Sequence, residues 1–435
     1  MKLFATFALA LGTALILVAG CAEEQDEQVV RVTRNIGGRP GFQVHWDLWK
    51  ATFERTHPGW TMELIDLGNQ DAGAYYRRAI ATGDLPHVVM TLDYTKLLAN
   101  GGHILPIPTT LYERVGQNLP PLHNGEYFTA QVGGQITGIA INKRMWSEAG
   151  ITEPPATWDD FIAALHKLKA AGHTPLVYGG REWSAGVPLS YAIQTNLYDP
   201  NRKENEPSWT VRRDRGEVKF ITDPTARLII QRMIELVDNF VVKGALSDGY
   251  NEEQRDFFNE HAATWMMGCW MSGDVEPLKV DFEIEYWPIP SMTGHKPLII
   301  NTIANQQRGW AMTTSATGIY HDKALAVLET FYHPAVYQAY LNAEGMLANA
   351  SKLPGVDGPK SNWPATQNLF DSMRQNVDRW GTTPGYYISI EDYPPTGYLL
   401  ILARVMQEIL AGNRDVDKLL KMLDDDWDAA RKGQA

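Results

Sequence analysis

An alternation of strand-like and helix-like patterns between residues 28 and 93 restricts the fold more than any other feature. "QVVRVTRNI" alternates and is rich in Val, the signature of a strand, and "GGRPG" breaks it. Phe42, Trp46, Trp49 and Phe53 then recur at steps of four, three and four, which is one face of a helix, closed by Pro58-Gly59. "TMELIDL" predicts a second strand, "AYYRRAIATGD" a helix ending near Gly83, and "LPHVVMTLD" a third strand. Strand, helix, strand, helix, strand implies a parallel α/β sheet with helices covering it.

The same grammar continues downstream. Pro154-Pro155 cannot extend a helix, and Thr157 with Asp160 three residues on reads as a near capping box. Phe161, Ile162, Leu165 and Leu168 form the apolar stripe that follows, and Gly172 stops it. Asp223 as cap and Pro224 at the first helical position open another helix, which Gly244 is expected to end. "DFFNEHAATWMMGCW" reads as a short helix into a strand, "FEIEYWPIPSMTG" and "RGWAMTTSAT" as strands, and "HDKALAVLETFYHP" as a helix. Two C-terminal helices, about 397–411 and 416–430, are split by Gly412-Asn413. Trp46, Trp49 and Trp158 fall on such stripes or caps and read as core. A chain of 435 residues is too long for one ordinary core, so two lobes are expected.

The first twenty residues carry a different signal. Lys2 is followed by an apolar stretch of about 16 residues, Phe4 to Ala19, near the lower limit for a membrane-spanning helix. Small residues close it, as at a signal-peptide cleavage site. "Val18-Ala19-Gly20-Cys21" resembles the bacterial lipobox, in which a peptidase cuts before the Cys and the thiol is acylated. The expectation is a signal peptide over 1–20, a lipidated Cys21, and "AEEQDEQ" as the start of a solvated tether over 21–29. The only other cysteine is Cys269, so an exported chain would have no internal disulfide and Cys269 reads as a small buried residue.

Composition removes several function classes. A net charge of −12 argues against nucleic acid as partner. The eleven His show no HExxH or paired spacing, so neither a metal nor a cofactor is expected. G-x-S-x-G, a phosphate loop, G-x-G-x-x-G after a strand and C-x-x-C are all missing. A glycosidase's pair of carboxylates has no local signature, so a tethered polysaccharide-cleaving enzyme stays open on the residues alone. Fourteen Trp is a high count, and Trp offers the broad apolar face on which ligands dock.

Taken in order, the segments resemble the extracellular solute-binding proteins of ABC importers, in the sugar-binding branch that includes maltose-binding protein. The resemblance runs from about Val30 to the last helix. It is carried by "FERTHPGW", "AIATGDLPHVVM", "GGHILPI", "INKRMWSEAGITEPPATWDDFIAALHKLKAAGHTP" and "FFNEHAATWMMGCW", with "PPATWDDF" the most specific piece. His87, Ile141 and Asn259-Glu260-His261 depart from the family pattern. The resemblance implies two α/β lobes joined by chain crossings, with a ligand cleft between them. Crossings are expected near Thr137-Gly138, Pro288-Ile289 and Gly345, giving one lobe of 30–137 plus 289–344 and another of 138–288 plus 345–435. It also implies a monomeric, extracytoplasmic receptor that is not an enzyme, binds a carbohydrate and works with membrane permease subunits. A receptor that feeds a membrane sensor instead remains the alternative.

Loops leaving strand C-termini face the crevice in open parallel sheets. Sugars need aromatic faces for their C–H surfaces and fixed polar groups for their hydroxyls. The candidates by position are Arg39 after the first strand and Asp93 and Tyr94 after the third, where the resemblance also implies contacts. Glu182 and Trp183 after "PLVYGG" resemble the family's carboxylate–aromatic pair, and Trp270 its stacking Trp after Gly-x; Trp310 lies in a returning strand, and "WGTTPGYY" adds Trp380 and Tyr386.

Overall fold

The computed structural model describes residues 28–35, 37–68, 70–116, 126–197, 206–242, 244–294, 299–301, 308–383 and 394–433. The chain opens with strand β1 (Gln28–Arg34), helix α1 (Pro40–Thr56), β2 (Trp60–Asp66), α2 (Ala72–Thr82) and β3 (Val88–Met90). Short helices α3 (Thr95–Asn100) and α4 (Thr109–Val115) lead to β4 (Ala130–Gln131), β5 (Ile136–Thr137) and β6 (Ile139–Asn142). Helices α5 (Lys143–Glu148), α6 (Trp158–Ala170), α7 (Val187–Leu197), α8 (Trp209–Asp214), α9 (Pro224–Phe240) and α10 (Tyr250–Phe258) follow. Next come β7 (Thr264–Trp265), β8 (Ile284–Trp287), β9 (Ile299–Asn301) and β10 (Gly309–Met312). The last elements are α11 (Ile319–Phe331), α12 (Pro334–Glu344), α13 (Pro364–Trp380), β11 (Thr382–Thr383), α14 (Tyr398–Leu410) and α15 (Val416–Lys432).

The first lobe is built on a sheet of order β2-β1-β3-β10-β4. β1 runs parallel to both β2 and β3, as the alternating pattern requires. Residues alternate between the two faces of a strand, so Val88 and Val89 enter different cores. Val30, Val32, Met62 and Val88 meet the buried α1 stripe of Phe42, Trp46, Trp49 and Phe53. Val89 faces the other way, onto Tyr76 and Leu98. Burying each large side chain stabilises the fold by about 1.5–3 kcal/mol, so α1 alone fixes that face firmly.

The second lobe holds the antiparallel sheet β7-β6-β8, with α7, α9, α14 and α15 packed beside one another. A third short sheet, β11-β9-β5, abuts it, because only Gly138 separates β5 from β6. A Cβ at Gly138 would stand 2.5 Å from the Trp287 carbonyl oxygen, so a side chain there would force the strands apart. Local signals in this lobe are realised. Thr157 and Asp160 form the reciprocal capping box of α6. The Asp223 side chain accepts the Thr225 and Ala226 N–H groups at 2.8 and 3.2 Å, with Pro224 at the first helical position of α9.

The α/β, two-lobed architecture is as expected, with three local corrections. The first sheet is mixed, since β10 pairs antiparallel with both β3 and β4. A strand returning from the other lobe need not make a right-handed parallel crossover. The third strand extends only over Val88–Met90, because Leu92 adopts a left-handed φ of 47° and turns the chain into a short 3-10 turn. Helix α9 ends at Phe240, with Val241 already extended, so Gly244 opens the next turn and does not terminate the helix.

Candidate ligand-binding cleft

A cavity of about 450 Å³ lies between the lobes. On one side Arg34 and Asn35 leave β1, Gln70 and Asp71 follow β2, and Met90 and Leu92 end β3. These are the C-terminal ends of the three parallel strands, where open α/β sheets present their crevice. β10 runs opposite to β3, with Trp310 paired to Met90, so its beginning brings Arg308 to the same edge. The facing side comes from three segments: Arg181, Glu182 and Trp183 before α7, Tyr250 at the start of α10, and Trp270. Leu399 and Leu400 of α14 close that side.

The facing side is an aromatic wall. Trp183 stacks on Tyr250 at 5.3 Å and 28°, and Trp270 is tilted against Trp183 at 6.1 Å and 54°. Both indoles are half-buried and line the cavity. Carboxylates fix the wall from behind. Glu182 Oε1 accepts the Tyr250 N–H at 2.7 Å, and Glu252 accepts the Gly249 N–H at 3.0 Å and Arg181 at 2.8 Å. Together they cap the N-terminus of α10, where unpaired N–H groups favour negative charge. Beneath the wall, buried Glu253 accepts from Ser184 at 2.9 Å and from Trp265 Nε1 at 2.8 Å. Burial pushes its carboxyl up to about 7 despite those donors.

The opposite side is polar. Asp71 caps α2 through the Gly73 N–H at 2.9 Å and accepts the Tyr94 hydroxyl at 2.6 Å. Deeper in, Arg34 pairs with Glu344 at 2.9 Å, its guanidinium 3.8 Å above the Phe42 ring and 5.0 Å from that of Tyr340. Burial lowers Arg34 and raises Glu344 from their ordinary values, as it does for any charge withdrawn from water. Arg34 Nη1, Asn35 Oδ1 and the Tyr250 hydroxyl belong to cavity-lining residues and have no partner among the described residues. Buried polar atoms are normally bonded, but these three are closed off from solvent, and the open polar lining comes from side chains such as Gln70, Asp71 and Arg308.

Of the residues expected at a site, Arg39, Tyr94, Glu182, Trp183 and Trp270 line this cavity. Arg39 does so with its guanidinium engaged elsewhere in the protein: Nε donates to Asp274 at 2.8 Å and Nη2 to the Trp270 carbonyl. Trp310 does not reach the cavity. It is fully buried 4.7 Å from Trp49 and packs against Phe331, because its strand turns it toward α1. Trp380 is also outside the lining. Its Nε1 donates to Asn376 at 3.1 Å, whose amide reaches the Tyr286 carbonyl at 2.8 Å, so it braces α13 on β8. Tyr386, Cys21 and the side chain of Asp93 lie outside the described residues. Cys269 is buried, with its thiol pushed up to about 12 by burial. Gln70 and Asp71 are additional lining residues that the strand-end rule applied to β2 would have found. Tyr250, Glu344 and Leu399 come from helix ends and carry no such sequence signal.

The sequence profile described as bacterial extracellular solute-binding protein matches residues 46–319. The chain belongs to that family. Relatives among bacterial extracellular solute-binding proteins include a probable sugar-binding periplasmic protein of Mesorhizobium japonicum, 29% identical over 195 residues. That match covers 42% of this chain and 45% of the relative. A multiple sugar-binding protein of Streptococcus mutans is 23% identical over 249 residues, 55% of this chain and 57% of that one. The chain thus spans about half the length of the curated relatives it matches. Solved structures extend the likeness in fold. A chitin oligosaccharide binding protein superimposes with a TM-score of 0.75 at 21% identity, over 94% of this chain and all of that one. A raffinose complex of the solute-binding protein RafE gives 0.69 at 18% identity, over 93% and 99%.

Proposed function

We propose that the protein is an extracytoplasmic receptor that captures a carbohydrate, mono- or oligosaccharide, and delivers it to an ABC permease. The observation that carries this reading is the two-sided cleft: a wall of Trp183, Tyr250 and Trp270 facing the polar side chains of Asn35, Gln70, Asp71 and Arg308. A pyranose has an apolar C–H face and a rim of hydroxyls, and it needs both kinds of surface. Micromolar affinity corresponds to about −8 kcal/mol. Two stacking platforms and a few hydrogen bonds to charged partners, at about 1.5–3 kcal/mol each, reach that after ordering costs. The sugar-binding descriptions of the relatives support the same class.

Binding, not catalysis, is the proposed activity. Ligand touching both walls favours the closed arrangement of the lobes, and the permease reads that closure. The proposed lobes are 30–137 plus 289–344 and 138–288 plus 345–435, with crossings near Thr137-Gly138, Pro288-Ile289 and Gly345. The chain acts as a monomer, tethered to a bacterial membrane by acyl groups on Cys21. A thermal-shift screen of a saccharide panel, followed by calorimetry, tests the reading. At a hundredfold excess over Kd a true ligand stabilises by about 2.7 kcal/mol, which raises the melting temperature measurably. Stabilisation by a non-saccharide solute and by no sugar would refute it.

A further inference from the structure

The turn Cys269–Asp274 carries Trp270 and continues directly from the β7 region of the second lobe. Its most extensive packing, however, is with the first lobe, although it also touches α13 of the second. It packs on α12 and on the start of α1. Glycines make that approach possible. A Cβ at Gly41 would stand 2.5 Å from the Gly273 carbonyl oxygen, and one at Gly273 would run into Ala343. A Cβ at Gly345, just past α12, would meet the Cys269 carbonyl oxygen at 2.6 Å. Three backbones therefore touch where any side chain would hold them apart.

Arg39, just before α1, ties the same seam with charge. Its Nε–Asp274 bond is 2.8 Å, and Asp274 is fully buried. Its Nη2 donates to the carbonyl of Trp270 and, at 3.4 Å, to that of Ala343. The guanidinium lies 3.9 Å above the Phe42 ring. Burial opposes its charge, but Asp274 prevails and holds it above its ordinary value. By comparison the turn's ties back to the second lobe are fewer: it touches α13, Gln254 Nε2 donates to Asp274 at 2.8 Å, and Trp270 is tilted against Trp183.

We propose that Arg39 is a positioning residue that, with the glycine seam, anchors the Trp270 turn to the first lobe, so that the aromatic wall divides when the cleft opens. Trp270 stays with α1, while Trp183 and Tyr250 leave with the second lobe. This rests on the carbohydrate-cleft reading for its biological use, but its test needs no ligand. It also assigns Arg39 to the platform's backbone and not to the ligand.

Electron-spin distance measurements on the full chain decide it, with Cys21→Ser removing one native thiol and burial shielding the other, Cys269, from the label. Val44 on α1, Leu278 just after the turn and Leu246 in the second lobe are exposed and accept Cys labels. The 44–278 distance is expected to be narrow and the 246–278 distance broader. Arg39→Gln is expected to broaden 44–278 without loss of helical circular dichroism, and Arg39→Lys to restore part of its sharpness. Gly41→Ala perturbs the seam with Arg39 intact, and is expected to broaden 44–278 as well. A 44–278 spread equal to or wider than 246–278, or one unchanged by both Arg39→Gln and Gly41→Ala, overturns the proposal. Failure of the saccharide panel would leave this result standing and refute only the ligand class.

Discussion

Trp270 and Trp310 are the same side chain with opposite duties. Trp270 stands half-exposed on the cleft wall, whereas Trp310 is sealed under Trp49 and Phe331. Trp270→Ala is therefore expected to weaken saccharide binding by about tenfold or more, since one stacking platform contributes on the order of 1–2 kcal/mol, while leaving the melt nearly unchanged. Trp310→Ala is expected to cost about 3–5 kcal/mol of stability. Calorimetry and thermal melts on both variants check the division, and equal effects on affinity would contradict it. Glu253 gives a pH test. Its folded carboxyl sits near 7 against an ordinary 4.5, so the folded state holds a proton the unfolded chain has lost. Stability from that proton is full below about 4.5 and is lost as pH rises through about 7, by up to about 3 kcal/mol. Other groups titrate too: burial lowers His87 to about 4, which works in the opposite direction. The informative quantity is thus the difference in melting between the wild type and Glu253→Gln. The wild type is expected to lose ground to the variant from pH 5 to pH 8, and a constant difference would contradict the assignment. At this scale Trp183 and Trp270 are legible through the family resemblance of the segments that carry them, since no strand leads directly into Trp183. The sequence does not reveal which face of β10 Trp310 takes, because both faces of that strand are buried and periodicity is silent there.

Elements are far more legible. The α1 stripe, the Thr157 capping box and the Asp223-Pro224 start all follow from spacing and residue chemistry, and each appears where the pattern puts it. What spacing cannot convey is how elements dock. Buried Asp424 of α15 is an example. It pairs with Arg213 of α8 at 2.8 Å and accepts the Phe220 and Ile221 N–H groups at 3.1 and 3.0 Å. Nothing around Asp424 in the sequence marks it as different from Asp425 or Asp426, which have longer solvent exposure or peripheral pairs. Asp424→Ala leaves two backbone donors unpaired and Arg213 with only the half-exposed Asp428 as a carboxylate partner, and is expected to destabilise the protein by about 2–4 kcal/mol. Asp425→Ala breaks only an exposed pair with Lys421 and is expected to cost under about 1 kcal/mol. Denaturant melts that showed equal losses would disprove the distinction.

For the whole molecule, the two-lobed plan follows from chain length and the repeated strand–helix grammar, while the cleft's contents depend on where distant helix ends meet. Position relative to the membrane belongs to this scale as well. Cys21→Ser is expected to move the protein from the membrane fraction to the soluble extracytoplasmic fraction, and unchanged partitioning would rule out acylation at that thiol. In the proposed mechanism a sugar held between an aromatic wall and a polar wall draws the lobes together. Small-angle X-ray scattering, with and without the saccharide that stabilises the protein most in the thermal screen, tests it most directly. The radius of gyration is expected to fall on saturation in the wild type and to fall less in Trp183→Ala at the same concentration. Tight saccharide binding with no change in the scattering curve would show that the sugar does not draw the lobes together.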